Sequence, residues 1–104
     1  MINRRTEERV IPKQSVLVKE DTGEIINYYH LKDISKGGMY LLKKISSKTE
    51  KNSTYTFLVN GMMDSAVTGE VYETRLDANG IYGTAVKFND PKDVEAVVST
   101  IKKL

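Results

Sequence analysis

Apolar residues recur mainly at every second position, in runs broken by short polar clusters. QSVLVKE (14–20) leads to Asp21-Thr22-Gly23, and EIINYYHLKDI (24–34) then resumes a β-branched and aromatic pattern. GMYLLKK (38–44) follows Ser-Lys-Gly-Gly and ends in ISSKTEKNST (45–54), which reads as a lysine-rich surface loop. TYTFLV (54–59) alternates Tyr55, Phe57 and Val59 on one face, and Asn60-Gly61 is a strong hairpin signal. SAVTGEVYETRL (65–76) carries Val67, Gly69 and Val71 in alternation, and Asn79-Gly80 precedes IYGTAVKF (81–88). Six strands with turns about every 8–12 residues predict an antiparallel sandwich or small barrel. Near the end the period changes. Asp90 can cap, Pro91 suits the first helical position, and Val94, Val97, Val98, Ile101 and Leu104 recur at helical spacing. One short amphipathic helix is expected across an open end of the β structure.

With 104 residues, 39% hydrophobic and 29% charged, the chain matches a single globular domain with one core. The absence of cysteine excludes a disulfide framework, a thiolate metal site and a cysteine nucleophile. No apolar run approaches the roughly 18 residues of a membrane span. The opening MINRRTEERVIP is unlike a signal peptide, so a cytoplasmic protein without membrane insertion is expected. Net charge is only +2, too little to argue for nucleic-acid binding, but its distribution is uneven. Arg4, Arg5 and Arg9 are three of the four arginines, whereas the rest of the chain uses lysine.

Catalytic machinery is not visible. His30 is the only histidine and sits in a strand pattern, so neither a histidine-based metal cluster nor a proton shuttle is expected. The carboxylates are scattered, mostly beside lysines, as on a solvated surface; Glu73 and Asp77 near Arg75 read as face and turn residues. No G-x-S-x-G elbow and no phosphate-binding G-x-x-x-x-G-K-[ST] loop occurs. The four methionines read as core filling.

Two constellations remain. The first is Arg5-x-x-x-Arg9, preceded by Arg4, just before the first strand. A guanidinium fork binds phosphate oxygens bidentately, stacks on a base and matches the O6/N7 edge of guanine. The second is Asp33-Ile34-Ser35-Lys36-Gly37-Gly38, at the end of the second strand. On an extended chain Asp33 and Ser35 face one side. There the carboxylate can accept from a guanine's N1–H and N2–H₂, and the hydroxyl can add a base or phosphate contact. Gly37 and Gly38 permit positive φ and close backbone approach to a ligand. Each pattern alone also describes something plainer: a basic tail paired with Glu7 and Glu8, and a turn.

Together, in this order and on this strand plan, they resemble the PilZ domain family, bacterial receptors for cyclic di-GMP. Its signature is R-x-x-x-R before the barrel and [D/N]-x-S-x-x-G near the second and third strands; here these read R5-T-E-E-R9 and D33-I-S-K-G-G38. The resemblance covers essentially the whole chain, down to the Y82GTAVKF88 strand before a terminal helix. It implies a mainly β fold, a six-stranded antiparallel β-barrel with a C-terminal α-helix. It divides the chain into an arginine-rich arm (1–13), a barrel (14–88) and a helix (90–104). Arg5 and Arg9 would grip phosphate and the guanine Hoogsteen edge, Asp33 and Ser35 would read the guanine, and Gly38 would keep that surface open, with Gly37 beside it in the ligand site. Arg4 stands where the family sets ligand stoichiometry, and an arginine there leans toward a stacked pair of ligand molecules. Ala85 stands where the family often has glycine, a minor packing change.

The expected function is a non-catalytic cyclic di-GMP receptor needing no cofactor or metal. Its mobile arm would close on the ligand and signal to a separate downstream protein. A monomer able to pair when liganded is the default, since no heptad seam occurs. Two other classes fit the residues. A small barrel binding single-stranded nucleic acid would use the six tyrosines with Phe57 and Phe88 for stacking, against a body that is net neutral. A protein–protein adaptor would use the barrel face or the 43–51 loop.

Overall fold

Alternating burial along the first four strands gives each an apolar face, and the sheet buries those faces by closing on itself. In the computed structural model, residues 9–44, 52–59 and 62–104 are described, with backbone alone for 62–65 and 93. The strands are β1 (Val16–Asp21), β2 (Ile26–Ile34), β3 (Gly38–Lys43), β4 (Asn52–Val59), β5 (Met62–Leu76) and β6 (Tyr82–Phe88). They form a closed barrel in the order β1-β2-β3-β6-β5-β4, with every pairing antiparallel and β4 returning to β1. Closure removes sheet edges and selects the barrel over the sandwich.

Two strand starts differ from expectation. β4 begins at Asn52, inside the stretch read as loop, because its inward residue there is the buried Ser53 rather than an apolar one. β5 begins at Met62 instead of 65, pairing Met62 with Val59 across residues 60 and 61. Those two residues, and the lysine-rich loop from 45 to 51, lie outside the described residues. The visible turns use their polar residues as anchors. Asp77 Oδ1 accepts from Asn79 N at 2.8 Å and Ile81 N at 2.9 Å, while Gly23 and Gly80 take positive φ.

The core joins barrel and helix. Val16, Val18, Leu41, Tyr55, Phe57, Val86 and Phe88 are buried together with Val94, Val97 and Ile101. Each such aliphatic side chain contributes about 1.5–3 kcal/mol of burial. The terminal element is two pieces, a 3₁₀ turn (Pro91–Val94) and an α-helix, α1 (Glu95–Lys102). Asp90 caps the turn by accepting from Lys92 N at 3.0 Å, with Pro91 at its start. Eight residues are too few for a stable isolated helix, so the apolar face set against β5 holds α1 in place.

The surface reading of the carboxylates fails at Glu20. Val16, Val18 and Glu20 share the inward parity of β1, and Glu20 is fully buried. Its Oε1 accepts from Asn27 Nδ2 at 3.0 Å and Tyr29 OH at 3.1 Å, and its Oε2 from Ser53 Oγ at 3.1 Å and Tyr55 OH at 3.0 Å. Asn27 and Tyr55 are its direct cross-strand neighbours on β2 and β4. Lys43 closes the group, donating to Asn27 Oδ1 at 2.9 Å with its ammonium 5.2 Å from the Tyr29 ring centre. Burial first, and the Glu20 charge second, push the Tyr55 hydroxyl far above its ordinary ionisation range.

Candidate functional site

Two irregularities in the sheet build the site. On β2, Leu31 pairs with Leu41 and Asp33 with Tyr40, so Lys32 is the extra residue of a bulge. Asn27, Tyr29 and Leu31 are buried before it, and Ile34 is buried after it. Strict alternation would have sent Asp33 into the core; the bulge turns it outward and leaves it half-buried. β5 repeats the device. Val71 pairs with Val86 and Glu73 with Ala85, leaving Tyr72 as the extra residue and turning Glu73 toward the outer face.

Between the bulges lies a recess of about 280 Å³. Arg9, Lys32 and Asp33 line one side, Tyr72, Glu73 and Arg75 the other, and Tyr40 and Ala85 are among the residues between. A single rung of paired residues crosses it: Asp33–Tyr40–Ala85–Glu73, from β2 through β3 and β6 to β5. Tyr40 is seated by a glycine, since a Cβ at Gly83 would stand 1.8 Å from its hydroxyl. The Lys32 ammonium lies 5.4 Å from the Tyr40 ring centre.

The arm reaches this recess through a short backbone bridge. Val10 N donates to Ile34 O at 2.8 Å and Ile34 N to Val10 O at 3.0 Å, an isolated antiparallel pair. The last part of the segment assigned to the arm is thus tied to β2. The tie sets Arg9 beside Asp33, and Arg9 Nη1 donates to Asp33 Oδ1 as an ion pair, the two side chains 35% and 19% exposed. One residue from each half of the sequence pattern therefore meets across 24 positions of chain. Arg4 and Arg5 lie outside the described residues.

The other half of the second pattern is a turn beside the recess. Ser35 is buried, its N–H donating to Gly38 O at 2.8 Å and its hydroxyl lying 3.5 Å from the same oxygen. Gly37 O accepts from Phe88 N at 3.0 Å, which ties the turn to β6. Positive φ is not what these glycines provide, because neither Gly37 nor Gly38 adopts it. Gly38 is needed for close approach to protein: a Cβ there would stand 2.5 Å from the Val86 carbonyl oxygen. Ala85 also changes meaning. It lines the recess, so its methyl group is a feature of the site as well as of the packing.

Lys32, Tyr40, Tyr72 and Arg75 were not expected here. Tyr72 is 65% exposed, and Arg75 holds Glu73 through Nε–Oε2 at 2.9 Å and Nη2–Oε1 at 3.1 Å. A larger recess, about 470 Å³, lies around Asp21, Thr22, Gly23, Ser53 and Asn89. Among the described residues its lining has neither a cation nor an aromatic ring, and the smaller recess, which has both, is the candidate for an anionic, planar ligand. Among the described residues, no three His, Cys, Asp or Glu side chains are placed to hold a metal ion. No helix there is long and apolar enough to cross a membrane.

The barrel order and terminal helix recur in solved structures. The Bacillus subtilis inhibitor of motility (MotI/DgrA) superposes with a TM-score of 0.74 at 12% identity, covering 98% of this chain and 51% of that one. The PilZ domain of YcgR from Escherichia coli, solved with c-di-GMP, gives 0.68 at 11% identity, covering 97% of this chain and 93% of that domain. This is the PilZ fold. MrkH of K. pneumonia in its apo state also shares it, with a TM-score of 0.70 at 14% identity over 96% of this chain and 50% of that one. The chain spans about half the length of the B. subtilis and K. pneumonia proteins and nearly all of the isolated YcgR PilZ domain. No protein-family model matches the sequence, and no curated protein sequence matches it. On the PilZ barrel, the recess with Arg9 and Asp33 opens on the outer face of β2, β3, β6 and β5, where the N-terminal segment joins β2.

Proposed function

We propose that this PilZ barrel is a non-catalytic cyclic di-GMP receptor of the bacterial cytoplasm, with its ligand site at the recess between the two bulges. The observation that carries the reading is the meeting of Arg9 with Asp33, which joins the two sequence patterns at one surface. YcgR has been solved with c-di-GMP and shares the fold, which supports the same ligand class. Arg9 and Asp33 neutralise one another here, so the ligand exchanges one pair of partners for another. Its phosphate or guanine Hoogsteen edge takes the Arg9 fork, and its N1–H and N2–H₂ take the Asp33 carboxylate. Arg4 and Arg5 complete the grip from the arm, which closes over the ligand about the Val10–Ile34 bridge. Ser35, Gly37 and Gly38 set the turn that holds Asp33 at its height, with Ser35 offering a further contact if the turn opens. The closed arm is the signal, read by a separate downstream protein, and the domain is a monomer that can pair when liganded.

Titration calorimetry with cyclic di-GMP tests the reading. Saturable binding that is lost in Arg5→Ala plus Arg9→Ala is the expected result. An absence of binding by the wild type, or full binding by the double variant, removes it. Single-stranded nucleic acid is the alternative ligand for the exposed tyrosines. A salt-sensitive shift with an oligonucleotide, with none for the dinucleotide, would favour that reading.

A further inference from the structure

The chain's fourth arginine is 66 positions from Arg9 in sequence, yet it lines the same recess. Barrel closure brings it there, by placing β5 beside β6 and β6 beside β3. Three inter-strand steps separate Asp33 from Glu73 on the shared rung, roughly 14 Å along the curved sheet at ordinary strand spacing. The recess therefore has two walls, and Arg9 with Asp33 accounts for only one of them.

The far wall has a particular chemistry. Glu73 holds the Arg75 guanidinium by two nitrogens and offsets its charge, while the side chain remains 68% exposed. A guanidinium held in this way offers its flat face more than its charge. Tyr72 is the bulge residue, lines the same recess and is 65% exposed, which leaves its ring open to a planar ligand. Two planar groups, one aromatic and one cationic, stand at the far edge of a recess whose near edge holds the Asp33 carboxylate and the Arg9 fork, paired with one another.

From this placement we propose that Tyr72 and Arg75 form a second base-binding wall, stacking on a guanine at the far side while Arg9 and Asp33 hold the near one. The proposal rests on the cyclic di-GMP reading and deepens it. A ligand with two purines joined through phosphates reaches both walls, and a mononucleotide reaches one. Base stacking makes Arg75→Lys an incisive variant, because lysine keeps the charge and loses the plane.

The test is calorimetric titration of cyclic di-GMP into the wild type, Tyr72→Ala, Arg75→Ala and Arg75→Lys, with melting temperature as the control for folding. Loss of a stacked base weakens binding about fivefold to a hundredfold, and Arg75→Lys is expected to fall with Arg75→Ala. Tyr72→Leu, which keeps an apolar side chain on the strand, replaces Tyr72→Ala if that variant melts early, and is expected to bind as weakly. If the wild type fails to bind, the receptor reading falls and this wall falls with it. If the wild type binds through Arg9 while Tyr72 and Arg75 variants stay within about twofold of it, the second wall alone is overturned. Recovery of wild-type affinity by Arg75→Lys would replace stacking with simple charge attraction and overturn the proposal as well.

Discussion

Glu20 and Asp33 are carboxylates on neighbouring strands of one barrel, and they do opposite things. Glu20 is fully buried and accepts from four side chains on β2 and β4. Asp33 sits at the outer face, 19% exposed, in an ion pair with Arg9. A buried carboxylate surrounded by fitted donors has no better partner to move to, so it fixes the positions of the groups around it. A rim carboxylate with one partner gains little from that partner, because water and salt compete. Exchange is therefore cheap at Asp33 and prohibitive at Glu20. The difference separates a residue that holds a barrel shut from one that can exchange partners.

The largest expected effect breaks the comparison at its buried end. Glu20→Ala leaves Asn27, Tyr29, Ser53 and Tyr55 without their shared acceptor and should destabilise the barrel by about 3–5 kcal/mol in urea unfolding. A loss below about 1 kcal/mol would place Glu20 in the same class as a surface carboxylate. Arg9→Ala should show the mirror image. Two charge-assisted hydrogen bonds to the ligand, about 1.5–3 kcal/mol each, predict at least about a hundredfold weaker cyclic di-GMP binding. Its unfolding free energy should move by less than about 1 kcal/mol; a large stability loss would make Arg9 structural.

Alkaline titration sharpens the buried end further. Tyr55 ionises near pH 10 in the unfolded chain and well above that when folded, owing to burial first and Glu20 second. Stability should be intact below about pH 10 and then fall by up to about 1.4 kcal/mol per pH unit, as the unfolded chain releases a proton that the folded one keeps. Denaturant unfolding across that range should show the slope, and Tyr55→Phe should flatten it; an unchanged slope would mean another group titrates. The smallest effect belongs to Asp33→Asn. It should change stability by less than about 1 kcal/mol while weakening cyclic di-GMP binding, read from paired unfolding and titration experiments.

Much of this was legible in the sequence wherever period two held. Tyr55 and Phe57 marked the inward face of β4, and Val94, Val97 and Ile101 marked that of the helix. Glu20 was misread because its charge outweighed its parity, although it follows Val16 and Val18 at the same spacing. The start of β4 was hidden by the same polar cluster, since Ser53 is inward to serve Glu20 and not to bury carbon. Arg9 and Asp33 were legible as a pattern, and the fold then brought them together. Tyr72, Arg75 and Lys32 were not, for two physical reasons. Bulges break the alternation at Lys32 and Tyr72, and nothing local to β5 says that closure will carry it to within three strands of Asp33.

The bulges also behave like shifts of a reading frame. Each adds one residue, and everything beyond it on the strand exchanges inside for outside. Deleting Lys32 would restore strict alternation and force a choice on β2: either Ile34 leaves the core or the strand slides against β3. Deleting Tyr72 would set the same choice for Glu73 and Arg75. Substitution can retune this surface one side chain at a time, but a change of length rewrites the hydrophobic interior as well. Among length variants, the recess and the core should therefore survive or fail together, which makes strand length a stricter constraint on this surface than residue identity.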